Sequence, residues 1–179
     1  MTSTQIRSTR LLLRPWEAED AEAVLDIYSR EEVYRWLGAT PSPCTDLAAA
    51  RARIERWSTP PTQPLDGLWA IETPGIEGIA PQPCGTVLLL PLKRSDGGDS
   101  HTLEVGWHLH PDAWGHGVAT EAARAVLDQA RTHGLREVHA VVYPDNVRSL
   151  AVCERLGMTR LGPTDEWYGV ELVDHVLAL

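Results

Sequence analysis

The chain has 179 residues, of which 43% are hydrophobic, and a formal net charge of −9 at pH 7. This length fits one domain with a sizeable core, and the apolar fraction is that of a folded protein rather than a disordered one. The acidic charge excludes a general nucleic-acid-binding protein, which needs a basic surface, although a few local N–H groups and arginines still allow a site for a small anion.

Cysteine usage and targeting patterns narrow the class further. The chain contains 3 cysteines, Cys44, Cys84 and Cys153, and none of them forms a C-x-x-C pair. Neither a disulfide framework nor a zinc ribbon is therefore expected. Residues 1–10 are polar, and no apolar run reaches the length of a membrane span. We expect a soluble cytoplasmic protein without nucleic acid or membrane partners.

The first half of the chain predicts helices between short strands. Aliphatic runs predict strands over 11–13, 68–72 and 84–92. Apolar residues at helical spacing predict one helix over 17–29 and a second that begins near Thr45 or Asp46 and is ended by Pro60, Pro61 and Pro64. Residues 73–83 are rich in Pro and Gly and are predicted to be a loop.

The second half alternates strands and helices. Strict alternation predicts a strand over 102–109, joined to the strand before it by the turn Asp96-Gly97-Gly98. Helical spacing begins at Val118 and ends at Gly134, and a strand over 138–142 follows. Asn146 can cap a further helix that Gly157 ends, and late strands are predicted over 158–161 and 172–179. We expect one α/β domain over 1–179.

The junction over residues 114–121 reads Trp-Gly-His-Gly-Val-Ala-Thr-Glu. A helix start presents unpaired N–H groups and the positive end of the helix dipole, and glycines allow the main chain to approach an anion closely. A Walker A loop requires Gly-Lys-Ser/Thr, whereas Gly117 precedes Val-Ala, and a Rossmann fingerprint requires Gly or Ala at Thr120. The junction therefore predicts a pyrophosphate site of another kind.

Two further segments accompany this junction. Residues 144–149 read Pro-Asp-Asn-Val-Arg-Ser and are followed by Leu156-Gly157, and residues 11–16 read Leu-Leu-Leu-Arg-Pro-Trp. Together the segments resemble the GCN5-related N-acetyltransferases (the GNAT family), above all the branch that acetylates ribosomal-protein N-termini. In the family's signature, Gln/Arg-x-x-Gly-x-Gly/Ala, the first position is Trp114 here, which resembles the Trp-Gly-x-Gly form of that branch.

The resemblance implies a fold and a donor. It implies an α/β fold whose mixed, mostly antiparallel sheet has about six to seven strands, a splayed parallel pair and about four flanking helices. Acetyl-CoA would lie in the splay as the cofactor. The residues implied to bind it are Leu109, Trp114, Gly115, His116, Gly117, Val118, Ala119, Thr120, Asn146 and Ser149.

Transfer of an acetyl group to an amine needs a base, because an alkylamine with a pKa near ~10.4 is protonated at neutral pH. Glu104, on the polar face of its predicted strand, is the candidate, and the alternative is an ordinary cross-strand ion-pair carboxylate. By resemblance, the backbone N–H of Leu109, freed by a bulge, would bind the oxyanion. Asn146 would bond the pantetheine arm and Ser149 would lie near the sulfur, although both also suit an ordinary helix N-terminus.

The acceptor is less determined than the donor. The residues expected to line its pocket are Tyr28, Val33, Trp36, Trp167 and Tyr168. The acceptor is expected to be a peptide N-terminus or a small amine such as a polyamine or an aminoglycoside. Two alternatives stay open, a non-catalytic CoA-binding module and an enzyme that uses a larger acyl-CoA such as succinyl-CoA. By analogy, the late strands are where a homodimer would form. No Asp, Cys or Glu completes a metal site with His108, His110 and His116, so no metal is expected.

Overall fold

The structure is a computed structural model that describes residues 5–58, 66–74, 76, 78 and 82–179. Its strands are β1 (Ile6–Arg7), β2 (Leu12–Arg14), β3 (Gly67–Glu72), β4 (Gly85–Pro91), β5 (Leu103–Leu109), β6 (Glu137–Val142), β7 (Thr159–Thr164) and β8 (Leu172–Ala178). Its α-helices are α1 (Ala21–Tyr28), α2 (Glu31–Tyr34), α3 (Leu47–Trp57), α4 (Val118–Thr132) and α5 (Val147–Leu156). Among these described residues, no helix combines the length and the apolar character needed to cross a bilayer.

The described strands form one 8-stranded sheet in the order β1-β2-β3-β4-β5-β6-β8-β7. Neighbouring strands are antiparallel except β5 and β6, which run parallel because α4 returns the chain between them. Over the described residues, β5 and β6 share one register position, Glu104↔His139, and then diverge. The predicted mixed, mostly antiparallel sheet with a splayed parallel pair is confirmed, although the described residues form eight strands and five α-helices where about six to seven strands and about four helices were predicted.

Helices cover both faces of the sheet. The apolar face of α4 is rich in alanine, and Ala122 and Ala123 pack in the main core with Val105 of β5 and Val138 of β6. Helices α1 and α3 form a second cluster on β3, which includes Ile54 of α3 and Ala70 of β3. The short side chains of α4 allow that helix to lie close to the sheet, so its first turn is held beside the point where β5 and β6 separate.

Local capping explains where the helices begin and end. The Asp46 carboxylate accepts a hydrogen bond from the Ala49 N–H at 2.8 Å and starts α3 near the predicted position. Gly134 follows the end of α4 with φ 88°, and Gly157 ends α5 with φ 79°, a left-handed conformation that favours glycine. Both predicted stops are confirmed.

The sequence prediction missed two short elements and misjudged others. Strand β1 has 2 residues and α2 has 4, too few for a periodic pattern to be visible. The structure begins the first helix with a 3-10 turn, Ala18–Asp20, and extends the strand predicted over 158–161 to Thr164. Strand β7 lies at the edge of the sheet and pairs with β8 alone, so Pro163, which has no N–H to donate, is tolerated in it. The prolines predicted to end α3 lie outside the described residues, as does part of the loop predicted over 73–83.

Candidate active site

A cleft with a volume of about 760 Å³ opens where β5 and β6 diverge. Its lining comes from the β5 residues between Glu104 and Leu109, from the first turns of α4 and α5, from α2 with the turn after it, and from the segment before β8. The volume is that of a pocket for a small molecule. The divergence of two parallel strands therefore creates the site.

The junction that precedes α4 has the backbone conformation expected of an anion cradle. Gly115 and Gly117 lie at φ 80° and 78°. Gly117 is the N-cap of α4 and supplies no side-chain cap, so the N–H groups of Val118, Ala119 and Thr120 have no intrahelical partner. A Cβ added at Gly115 would meet nothing within 4 Å. Glycine is thus favoured there by the backbone conformation alone, and the space around it is open.

The Thr120 hydroxyl points to the same conclusion. Its Oγ1 is buried and has no hydrogen-bond partner among the described residues, although the side chain borders the cleft. A buried hydroxyl without a partner is costly, and such groups in native structures commonly await a ligand or an ordered water. Free N–H groups, the helix dipole and this hydroxyl suit a pyrophosphate, so the residues present fit the group that the sequence predicts.

A salt bridge from the N-terminal segment holds this junction in place. The Arg10 guanidinium lies 2.7 Å from the Glu121 carboxylate and also donates to the His116 carbonyl oxygen at 3.0 Å. The Glu121 carboxylate also accepts from the Ser8 hydroxyl at 2.7 Å and the Arg10 N–H at 2.9 Å. Burial alone would raise the pKa of Glu121, but these hydrogen bonds outweigh it and lower the pKa. The carboxylate therefore stays ionised and ties β1–β2 to the cradle.

A second cavity of about 610 Å³ adjoins the outer side of α4. Four arginines border it, namely Arg7, Arg10, Arg124 and Arg155. The carboxylates of Glu121 and Asp128 border the same cavity, so its lining keeps a formal net charge of +2, four arginines against two carboxylates, although the whole chain carries −9.

The backbone of β5 turns a free donor into the cleft. The His110 N–H donates to the Cys84 carbonyl oxygen at 2.8 Å, and because successive amides of a strand point to opposite edges, the Leu109 N–H points away from β4. The register between β4 and β5 has no shift between Pro91↔Leu103 and Gly85↔Leu109, both within the described residues. The expected bulge is therefore absent from this ladder, and the splay itself exposes the amide.

Trp114 supports this edge. Its indole N–H donates to the Leu109 carbonyl oxygen at 3.1 Å, and the Arg148 guanidinium lies 4.4 Å from the ring centroid. Both side chains border the cleft. The tryptophan at the first position of the signature thus links β5 to the start of α5, where Arg148 lies.

Glu104 lies at the vertex of the splay, where β5 and β6 last pair. Burial raises the pKa of its carboxyl from 4.5 to about 7, while the Tyr168 hydroxyl, which donates to the carboxylate, and the Lys93 ammonium oppose that rise. A carboxyl with this pKa exchanges its proton readily near neutral pH. No ion pair to Glu104 is seen among the described residues, so the structure gives it no simple cross-strand salt bridge.

The start of α5 borders the cleft as well. The Asn146 side chain accepts from the Ser149 N–H at 3.2 Å, which makes Asn146 an ordinary N-cap. This bond uses the amide oxygen and leaves the amide NH₂ free to donate elsewhere. Both side chains border the cleft, so capping and ligand binding are compatible here.

The structure divides the residues predicted to bind the acceptor. Val33, Trp36 and Tyr168 border the cleft. Tyr28 is fully buried, and its hydroxyl lies 2.6 Å from that of Thr86. Trp167 is 6% exposed and packs in the small cluster of Leu92 and Leu172. We withdraw Tyr28 and Trp167 from the acceptor surface, because packing and not sequence spacing decided which aromatic rings point inward.

The predicted cofactor residues are brought together with one exception. Those that border the cleft are Leu109, Trp114, Gly115, Gly117, Val118, Ala119, Thr120, Asn146 and Ser149. The His116 side chain is exposed outside this lining, and His116 contributes to the junction through its carbonyl oxygen, which accepts a hydrogen bond from Arg10.

Burial, and secondarily Arg53, lower the pKa of His108 to about 4, so its imidazole is neutral. The described residues contain no group of His, Cys, Asp and Glu able to hold a metal.

Sequence reasoning missed Lys93, Glu32 and Tyr143 in the cleft lining. The Tyr143 hydroxyl donates to the Gly38 carbonyl oxygen at 2.8 Å, and its ring lies 6.0 Å from that of Trp36. Tyr143 directly follows β6, and the carboxyl end of a parallel strand is a usual place for site residues. Its position after the predicted strand could therefore have identified it from the sequence. Lys93 and Glu32 lie in a turn and a short helix that carry no such signal.

Comparisons with known proteins agree with this geometry. The sequence profile of the acetyltransferase (GNAT) domain matches residues 10–159. The uncharacterized N-acetyltransferase p20 of Bacillus licheniformis is 28% identical over 157 residues, which cover 86% of this chain and 81% of that protein.

Solved structures show the same fold. A GNAT-family acetyltransferase from Bacillus anthracis superimposes with a TM-score of 0.77 at 23% identity and covers 98% of both chains. A ribosomal-protein-S5-alanine acetyltransferase from Vibrio fischeri superimposes with a TM-score of 0.73 at 16% identity, over 98% of this chain and 97% of that one. The profile match extends over most of the chain and includes the cradle and the start of α5. The chain belongs to the GNAT family of acetyltransferases, enzymes that use acetyl-CoA as acetyl donor.

Proposed function

We propose that this protein transfers the acetyl group of acetyl-CoA to a primary amine by direct attack within a ternary complex. The observation that carries the proposal is the position of Glu104, a carboxyl with a pKa of about 7 at the vertex of a cleft that leads to an anion cradle. A base and a donor site share one cavity, as acyl transfer to a protonated amine requires.

The donor half of the cleft supports acetyl-CoA. The N–H groups at the start of α4 and the Thr120 hydroxyl would hold the pyrophosphate, and the arginines of the adjoining cavity would face its other phosphate. The free amide of Asn146 and the exposed edge of β5 would bind the pantetheine arm. Acetyl-CoA supplies an activated thioester carbonyl.

The chemistry assigns one role to each group. Glu104 takes the proton from the ammonium of the acceptor, and the freed amine nitrogen attacks the thioester carbon. The Leu109 N–H stabilises the negative charge that develops on the carbonyl oxygen. As the carbon–sulfur bond breaks beside Ser149, the nitrogen gives up its second proton to the departing thiolate. The Ser149 hydroxyl either solvates the sulfur or relays this proton, donating one to the sulfur and taking one from the nitrogen, and Glu104 then releases its own proton to solvent. The products are the acetylated amine and coenzyme A.

The cysteines support direct attack rather than an acyl-enzyme. All three thiols are buried. Burial raises the pKa of Cys84 to about 11 and that of Cys153 to about 12, so both stay protonated and unreactive at neutral pH. Free buried thiols also suit the cytoplasm, which we propose as the location.

A peptide N-terminus is the first acceptor we propose. Its support is the resemblance of three motifs to the branch that acts on ribosomal-protein N-termini, together with the fold shared with the Vibrio fischeri enzyme. Glu32 at the cleft and the net charge of −9 favour a cationic acceptor through electrostatic steering. An α-amino group with a pKa near ~8 also loses its proton more readily than an alkylamine.

Release of coenzyme A thiol tests the proposal. Acetyl-CoA and succinyl-CoA are each incubated with peptides, polyamines and aminoglycosides, and the free thiol is measured with a chromogenic disulfide. We expect acetyl-CoA to be consumed with at least one amine class and the rate to fall in Glu104→Gln. Tight binding of acetyl-CoA without turnover of any acceptor would favour a CoA-binding module instead. Faster use of succinyl-CoA would assign a larger acyl donor.

A further inference from the structure

Tyr168 has an unusual backbone conformation. Its φ is 58°, and it is the only non-glycine residue with positive φ in the part of the chain that the structure describes. For a bulky side chain this left-handed conformation is strained, and it persists only where the surroundings enforce it. Gly169 follows directly at φ 71°, so this turn places a tyrosine as well as a glycine in the left-handed region. The strain therefore requires an explanation in terms of the Tyr168 side chain.

A turn from elsewhere in the chain enforces this conformation. We call residues 93–97 the Ser95 turn and residues 165–170 the Tyr168 loop. The Ser95 hydroxyl donates to the Asp165 carbonyl oxygen at 2.6 Å and accepts from the Gly169 N–H at 2.9 Å, so one side chain bridges both ends of the loop. The Tyr168 N–H donates to the Lys93 carbonyl oxygen at 2.9 Å.

Further contacts join the Ser95 turn to the Tyr168 loop. The Ser95 N–H donates to the Glu166 carbonyl oxygen at 2.8 Å, and the Arg94 guanidinium lies 2.9 Å from the Glu166 carboxylate. The ion pair is exposed and contributes little, whereas the paired backbone groups fix the geometry. The loop is thus tied to the end of β4, the strand that pairs with the one carrying Glu104.

The enforced conformation directs the Tyr168 hydroxyl to Glu104. The hydroxyl donates to the Glu104 carboxylate, and both side chains border the cleft. A donor to a carboxylate favours its ionised form and restricts its orientation. Other ionisable groups on this side of the sheet include Lys93, Glu32 and His108, together with the pair of His139 and Asp174, whose side chains lie 2.9 Å apart. None of these groups has a side-chain hydrogen bond to Glu104 in the described part of the chain, whereas Tyr168 has one.

We propose that Tyr168 is a positioning residue for the general base, held in a strained conformation by Ser95 so that its hydroxyl orients the Glu104 carboxylate and favours its ionised form. This inference rests on the proposed function and adds to it, because it assigns control of the base to a loop 64 residues further along the chain. It also means that Ser95, which is exposed and does not border the cleft, acts on the chemistry through Tyr168.

The test measures the Glu104 titration directly and does not depend on finding an acceptor. Protein labelled with ¹³C at the glutamate carboxyl is titrated by NMR, and the Glu104 resonance is identified by its absence in Glu104→Gln. In Tyr168→Phe the pKa should rise by about one pH unit above the wild-type value, because a hydrogen bond to a charged group is lost. Ser95→Ala should shift it in the same direction by a smaller amount.

Two controls separate positioning from folding. Tyr143→Phe removes another hydroxyl that borders the cleft, one that donates to Gly38 rather than Glu104, and should leave the Glu104 pKa unchanged. Ser95→Ala added to Tyr168→Phe should produce no further shift, since its effect passes through the phenol. An unchanged pKa in a folded Tyr168→Phe protein would overturn the proposal, as would an additive effect of Ser95→Ala.

Kinetics provide the second readout. The acid limb of the kcat/KM profile should move to higher pH in Tyr168→Phe by the same amount as the NMR pKa, while KM for acetyl-CoA stays within about twofold. A shifted NMR pKa combined with full turnover in Glu104→Gln would refute the role of Glu104 as base and leave the Tyr168–Glu104 coupling intact. The two failures are therefore distinguishable.

Discussion

Two glycines at opposite ends of α4 provide a matched test of the cradle. Gly117 precedes the helix at φ 78° and Gly134 follows it at φ 88°. A Cβ at Gly117 would meet the Arg10 guanidinium at 3.5 Å, an ordinary contact, and one at Gly134 would meet nothing within 4 Å. Gly117→Ala and Gly134→Ala therefore carry a similar backbone penalty without a clash inside the protein.

The magnitudes follow from this geometry. An alanine in the left-handed region costs roughly 1–2 kcal/mol, and each kcal/mol lowers the Tm of a protein of this size by roughly 2–4 °C. Both variants should thus lose a comparable few degrees. In Gly117→Ala alone, the methyl group would hinder approach of a pyrophosphate, and the loss of one charge-assisted hydrogen bond worth about 1.5–3 kcal/mol weakens acetyl-CoA binding roughly 10- to 150-fold.

Thermal melts and calorimetric titration with acetyl-CoA measure the two effects separately. The reasoning is refuted if Gly117→Ala binds acetyl-CoA with wild-type affinity. It is refuted equally if Gly134→Ala, at the far end of the helix, loses as much affinity, because the effect would then come from helix stability and not from the cradle.

Three further predictions concern the same cleft. Glu104→Gln should lower kcat by about 10²- to 10⁴-fold with acetyl-CoA affinity unchanged. The folded state raises the pKa of this carboxyl from 4.5 to about 7, so its ionisation lowers the stability of the wild type as the pH rises through that window. The variant lacks this penalty and should therefore melt at a higher temperature than wild type above pH 7. Thr120→Val should stabilise the unliganded protein, since it removes a buried hydroxyl without a partner, yet weaken acetyl-CoA binding in titrations. Arg10→Ala and Glu121→Ala should each raise KM for acetyl-CoA, and their double-mutant cycle should show a coupling of about 0.5–1 kcal/mol in denaturant unfolding, because the Arg10 side chain is 39% exposed.

Each of these three predictions would be contradicted by a specific result. Equal melting temperatures of Glu104→Gln and wild type at pH 8 would mean that the carboxyl is not raised in pKa. Unchanged acetyl-CoA affinity in Thr120→Val would remove the hydroxyl from the cradle. Additive effects of the Arg10 and Glu121 substitutions would show that the ion pair does not hold the junction.

Much of the fold was predictable because its signals are local. The alternation over 102–109 and the change to helical spacing at Val118 depend on residues close in sequence, and the structure places β5 and α4 accordingly. Asn146 and Gly157 bound α5 as predicted, because capping acts within one turn. Strand β1 was missed since two residues carry no period, and it forms only because β2 pairs with it.

In the candidate site too, local features were predictable from the sequence and long-range contacts were not. The sequence alone indicated the donor half, since the glycines, the helix start and the cap of α5 are contiguous features with defined backbone conformations. Tertiary packing decided the rest. It buried Tyr28, brought Arg10 to Glu121 across 111 residues, and placed Tyr168 against Glu104. Burial and pKa depend on which distant segments surround a group, and no local pattern encodes that.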